Sequence, residues 1–286
     1  MSEYRLPPKG LVSTNFKRLL EEYPSKTRRE VIPLGIDSDN KIIFKKMSDL
    51  EDILVGGTTS TGKTNFLNTI ICSILMKHTP DETKLVLIDN KGTEFNSYAD
   101  LPHLITPIVK DKDTAYKILN SLIAGAINRK QIFATNLVNT FDEYNNLVRQ
   151  AKRKYPDTRL GHLPNIVVVI DDYALIENEG TRKLLESLLK INNYTGIHVI
   201  CGTSLPTEDI ISPEMREYFY SRVCFNFVED KNIKFILGCR NTKTIEGENN
   251  YIVKTNDNKF YELSNILLDD FDIVSIADYI KYTNKK

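Results

Sequence analysis

Apolar and polar positions along the chain follow two alternating periods. Short apolar runs at 53–56, 85–88, 166–170, 197–203 and 222–227 are rich in β-branched residues, which predicts strands buried on both faces. Between them lie stretches with apolar residues at helical spacing, such as Phe66, Ile70 and Ile74. Strand and helix taking turns in this way predict an α/β fold, a mostly parallel sheet flanked by helices. Ahead of this region, residues 31–48 read as a strand, a turn at Asp37-Ser38-Asp39-Asn40 and a second strand, Lys41-Ile42-Ile43-Phe44. Behind it, 250–254 with 259–263 predicts a hairpin, and 270–282 an amphipathic helix. Residues 1–30, with Pro7-Pro8 and the charged run Lys26-Thr27-Arg28-Arg29-Glu30, read as a polar, irregular N-terminal arm or linker. One domain is expected over 31–286.

Composition narrows the class without naming a partner. Of 286 residues, 41% are hydrophobic and 27% charged, which is ordinary for a globular protein. Thirty-eight basic residues balance thirty-eight acidic ones, so no overall positive field advertises nucleic acid, and any such contact has to be local. The longest apolar runs fall far short of the ~18–20 residues that span a bilayer. The opening MSEYRLPPKG has no apolar core of a signal peptide, so a cytoplasmic location is expected. Cys72, Cys201, Cys224 and Cys239 form no C-x-x-C pair and are expected to be reduced; the four histidines lack metal-ligand spacing.

The chemistry starts at Gly57-Thr58-Thr59-Ser60-Thr61-Gly62-Lys63-Thr64, which satisfies G-x-x-x-x-G-K-[ST] between a predicted strand and a predicted helix. The glycines let backbone N–H groups turn toward phosphates, and the helix N-terminus adds the positive end of its dipole. Lys63 is expected on the β/γ oxygens and Thr64 on magnesium. Such a site needs a carboxylate at the end of a second buried strand, and LPNIVVVIDD ends in two, Asp171 and Asp172. Asp171 is the expected magnesium-side residue. Lys63 and Asp171 lie too far apart for a compact small-GTPase layout, and Asn90-Lys91 is followed by Gly92-Thr93, not by the N-K-x-D guanine reader. ATP with Mg²⁺ is therefore the expected ligand.

With these residues in view, the chain resembles the FtsK/SpoIIIE family of motor domains over roughly residues 31–282. That family's I-D-P-K, I-P-H-L, V-V-x-V-D-E-F-A-D and G-I-H-L-x-x-A-T-Q-R-P stretches recur in order as IDNK, LPHL, VVVIDDYAL and GIHVICGTSLP. TFDEYN at 140–145 and the strand beginning Ser221-Arg222-Val223 also match, and Ile245-Glu246-Gly247 lies where a Gly-rich turn precedes the last hairpin. The resemblance implies a RecA-like P-loop NTPase that assembles as a homo-oligomeric, usually hexameric, ring and pumps double-stranded DNA. It implies Thr203 as a sensor-like residue. The family's membrane segments and sequence-reading winged helix are not found in this sequence, so a bare motor working with separate membrane-anchor or targeting proteins is expected.

Several positions depart from the family pattern. Asp172 replaces the glutamate that polarises the attacking water, so slow hydrolysis is expected. Ser204-Leu205 replaces Gln-Arg, and Asn193 stands where DNA-pumping relatives carry an arginine that acts on the neighbouring subunit's nucleotide. Arg222 is the first candidate for that missing charge, with Arg182 and Lys190 behind it; the bland reading of Arg222 is a pairing with a nearby carboxylate. The two basic DNA-facing positions become Asp230 and Lys234, with Lys231 as a substitute. A DNA-translocating motor is the leading expectation. A protein-export ATPase of the type VII secretion kind, or a nucleotide-binding assembly module with negligible hydrolysis, are the alternatives.

Overall fold

The computed structural model describes residues 12–24, 31–227, 229–239, 245, 247 and 249–283. The chain runs α1 (Thr14–Glu22), β1 (Val31–Ile36), β2 (Ile42–Lys46), α2 (Met47–Leu50), β3 (Ile53–Gly56), α3 (Lys63–Lys77) and β4 (Thr83–Ile88). It continues through α4 (Lys112–Thr135), α5 (Phe141–Lys154), β5 (Asn165–Ile170), α6 (Glu179–Ile191), β6 (Ile197–Thr203), α7 (Pro213–Tyr218) and β7 (Ser221–Phe225). Helix α8 (Asp230–Leu237), the hairpin β8 (Asn250–Lys254) and β9 (Phe260–Ser264), and α9 (Asp270–Thr283) complete it.

Among the described residues nine strands form one sheet in the order β2-β1-β9-β8-β7-β3-β6-β5-β4. The five from β7 to β4 are parallel, and the pairings from β7 outward to β2 are antiparallel. The parallel strands explain their own sequences. Side chains alternate between faces along a strand, and here both faces are covered. Leu85, Leu87, Val167 and Val169 join a core with α1, α3 and α9, while Val86, Ile88, Val168 and Ile170 join a second core with α4, α6, α7 and α8. An unbroken β-branched run is the pattern such a strand requires. A satellite core of Phe133, Phe141, Tyr144 and Val148 seats α5.

Of the first thirty residues the structure describes 12–24, and one reading changes there. Their irregular reading fails at Thr14–Glu22, a helix capped by the Ser13 side chain, with Phe16, Leu19 and Leu20 buried in the same core as the sheet. Ser13 also donates from its N–H and hydroxyl to the buried Asp272 carboxylate at the start of α9, at 2.5 and 2.6 Å. Pro7-Pro8 and residues 25–30 lie outside the described residues, as does Glu246. At the base of β3, the buried Asp52 carboxylate accepts the Val199 N–H at 2.7 Å and the Asn192 amide at 3.0 Å, tying β3, α6 and β6 together.

Candidate active site

The site forms at the carboxyl edge of the parallel strands, where β3, β4, β5 and β6 deliver their loops. This is where ligands bind in open α/β sheets. The loop from Gly57 to Gly62 is pinned from several sides. Gly57 N–H donates to Thr203 O at 3.2 Å, Thr61 Oγ1 to Thr58 O at 2.8 Å, and the Asn265 amide to Gly62 O at 3.0 Å. Gly62 has φ +100°, a left-handed conformation, and a Cβ there would lie 2.3 Å from Asn265 Nδ2. Helices α1, α4, α5, α6 and α7 are each capped by a side-chain oxygen, whereas α3 begins at Gly62 with none. Its first-turn N–H groups are thus left for a ligand. Thr59 and Ser60 are exposed at the loop's crest, and Thr58 sits beside Asn226.

Two carboxylates and two ammonium groups meet under this loop. Thr64 Oγ1 donates to Asp171 Oδ1 at 3.2 Å, Lys91 Nζ lies 3.4 Å from Asp171 Oδ2, and Lys63 Nζ lies 3.8 Å from Asp172 Oδ2. Asp171 and Asp172 are 1% and 5% exposed. Burial lowers the Lys63 pKa, opposed by Asp172 and Asp171; at Lys91 burial acts the same way, but the two carboxylates outweigh it and hold the ammonium above its usual range. Asp172 also accepts from Ser204, N–H at 3.1 Å and hydroxyl at 2.5 Å. The crowding depends on Gly202 in β6, where a Cβ would lie 2.1 Å from Asp171 O. Thr203 is fully buried and receives the Leu205 N–H on its hydroxyl at 3.2 Å. The donor set suits magnesium: a hydroxyl and a carboxylate oxygen side by side are hard ligands for a cation that takes few protein groups and keeps water and phosphate.

Lys63, Thr64, Asp171, Asp172 and Thr203 thus come together, and Lys91 and Ser204 join them. In the sequence, Asn90-Lys91 reads only as an unfit guanine reader within a family stretch, and Ser204 only as a departure from the family pattern.

Arg222 does not belong here. It is 4% exposed on the first half of β7, opposite Leu54, and donates to Phe219 O and Arg216 O at 3.1 Å each while pairing with Glu217 at 3.3 Å. The guanidinium is engaged inside its own chain, which favours the bland reading of a pairing with a nearby carboxylate. Arg182 is engaged by Glu177 and the Asp209 carbonyl, Lys190 pairs with Glu186 at 2.6 Å, and Asn193 donates to the Tyr220 hydroxyl at 3.3 Å. Lys231 and Lys234 are exposed on α8, with Lys231 paired to Glu229 at 2.5 Å.

The strand order and the loop-plus-carboxylate site define a RecA-like P-loop NTPase domain. Solved structures share the fold: the pCW3 conjugation coupling protein TcpA, in its monomer form with ATPγS, matches with a TM-score of 0.71 at 19% identity, covering 99% of this chain and 75% of TcpA. ATPases 2 and 3 of EssC from Geobacillus thermodenitrificans match with a TM-score of 0.73 at 17% identity, covering 92% of this chain and 51% of that one. The sequence model of the FtsK/SpoIIIE family matches residues 18–232, and the chain belongs to that family. It is 27% identical over 280 residues to the DNA translocase FtsK of Staphylococcus aureus and 26% identical over 306 residues to that of Rickettsia typhi, covering 96% and 98% of this chain. It spans 35% and 41% of those two proteins. Among the described residues no helix is long and apolar enough to cross a membrane.

Proposed function

We propose that this domain is a cytoplasmic ATP-hydrolysing motor that assembles as a ring of identical copies and moves double-stranded DNA. The observation that carries the reading is the joining of the phosphate loop to a two-carboxylate strand end, Thr64 to Asp171 and Lys63 to Asp172. Family membership and the names of the FtsK relatives support DNA as cargo. In this reading the loop N–H groups and Lys63 hold the phosphates. Thr64 and Asp171 hold Mg²⁺, which supplies Lewis-acid polarisation when bound. Asp172, steadied by Ser204, orients the attacking water, and Thr203 tracks the site from β6.

A second reading keeps the engine and changes the cargo to a polypeptide, with the fold shared with EssC in its favour. Leu205, 49% exposed, replaces a basic family position, and the exposed Asp230 replaces another. The test is the ATPase rate with and without long duplex DNA. A severalfold stimulation is the expected result. Equal rates would move the cargo to polypeptide, and tight binding with no turnover would leave only an assembly module.

A further inference from the structure

Beneath the phosphate loop, the charges of the site's own side chains balance. Asp171 and Asp172 are both more than nine-tenths buried, and the cations pairing with them, among the described residues, are Lys63 and Lys91. The two ammonium groups differ in freedom. Lys63 is 5% exposed at the start of α3, while the Lys91 side chain is 37% exposed at the mouth of the site. The turn carrying Lys91 is rigid. The fully buried Asp89 carboxylate accepts the N–H groups of Gly92, Glu94 and Phe95 at 2.9, 2.9 and 3.0 Å, and Gly92 takes φ +71° to allow it. A fixed backbone therefore presents a long, partly free cation whose present partner is the expected metal ligand.

We propose that Lys91 is the residue by which this site prefers ATP to ADP. Its ammonium pairs with Asp171, and it would turn to the terminal phosphate where Asp171 holds a divalent cation. The inference rests on the nucleotide reading above and adds a specificity-determining residue to it. Charge counting gives the reason. Two carboxylates and two ammonium groups sum to zero, so adding a divalent cation leaves an excess of two positive charges, which favours the nucleotide with more phosphate charge. An ammonium that gives up Asp171 loses a buried counter-charge, and from its partly exposed position it gains a replacement in a charge-assisted bond to a phosphate oxygen. Arg182 and Arg222, the arginines weighed for a charge at this site, are already engaged by Glu177 and Glu217.

The test is calorimetric titration of the parent, Lys91→Ala and Lys91→Arg with ATPγS and with ADP, each in Mg²⁺. In Lys91→Ala, ATPγS affinity should fall about tenfold or more and ADP affinity change little; tenfold corresponds to about 1.4 kcal/mol. Mg²⁺ affinity without nucleotide should rise, because Asp171 loses its competing cation, and Lys91→Arg should recover most of the ATPγS preference. A purely structural role would weaken both nucleotides alike and leave Mg²⁺ affinity unchanged or lower, and that result overturns the proposal. If Lys91→Ala does not fold, Lys91→Gln, which keeps a donor to Asp171 without the charge, must show the same selective loss. Lys63→Ala should weaken both nucleotides. A parent that binds neither would overturn the nucleotide reading itself and this inference with it, whereas an unaltered ATPγS preference in Lys91→Ala overturns this inference alone.

Discussion

Asp172 is held by Ser204 on one side and faces Lys63 on the other, so its oxygens have a defined direction before any ligand arrives. It is one methylene shorter than a glutamate, which withdraws the carboxylate by roughly 1–1.5 Å, and a misplacement of that order can cost ~10²-fold in rate. Slow but real hydrolysis is the expected outcome. Asp172→Asn should retain ATP binding and nearly abolish turnover, because an amide cannot accept the water's proton, and Asp172→Glu should preserve or raise the rate. An Asp172→Asn protein that hydrolyses ATP at the parent rate would reduce Asp172 to a strand end. Residues of this kind differ in how far the sequence exposes them. Lys63 and Thr64 stand out because the loop motif is contiguous, and Asp171 because a buried strand ends in charge. Lys91 lies 80 positions from Asp171 and Ser204 lies 32 from Asp172, so those pairings arise from strand adjacency, which residue spacing does not encode. The partner of Arg222 is hidden for a complementary reason: its carboxylate, Glu217, is supplied by α7, a helix too short to announce its geometry.

Among the elements, β3 carries the phosphate loop at one end and is anchored at the other by Asp52. Burial pushes the Asp52 carboxyl up to about 7, against the opposing pull of the Val199 and Asn192 bonds. The folded state therefore keeps a proton that the unfolded chain releases near pH 4. The resulting stability is full below about pH 4, is lost as pH rises toward 7, and levels off above that. Between pH 5 and 7 the loss amounts to about 2–3 kcal/mol. Asp52→Asn does not titrate, so its melting temperature relative to the parent should improve on going from pH 5 to pH 8; an identical difference at both would remove Asp52 from the pH response. The parallel strands were legible because burial on both faces leaves an apolar run, and the hairpin because polar turn residues flank it. Helix α1 was not, since its three buried residues, Phe16, Leu19 and Leu20, sit in a charged segment, and the contact of β1 with β9 joins distant stretches that no local pattern links.

At the scale of the whole molecule, balanced charge means that the proposed grip on DNA would have to be assembled from local lysines. If Lys231 and Lys234 on the exposed face of α8 contact the backbone, duplex affinity should fall with salt at a log–log slope near −0.9 per phosphate neutralised. Replacing both with Ala should flatten that slope by about one unit or more. Undetectable or salt-independent binding to duplex DNA would transfer the cargo to polypeptide. The pairing of Ser13 with Asp272 has a mechanical meaning as well. The first and last helices start at one seam, fastened by two hydrogen bonds over a shared core. A pull on α1 therefore loads the start of α9 at the same time, through the two Ser13–Asp272 bonds and the core the helices share.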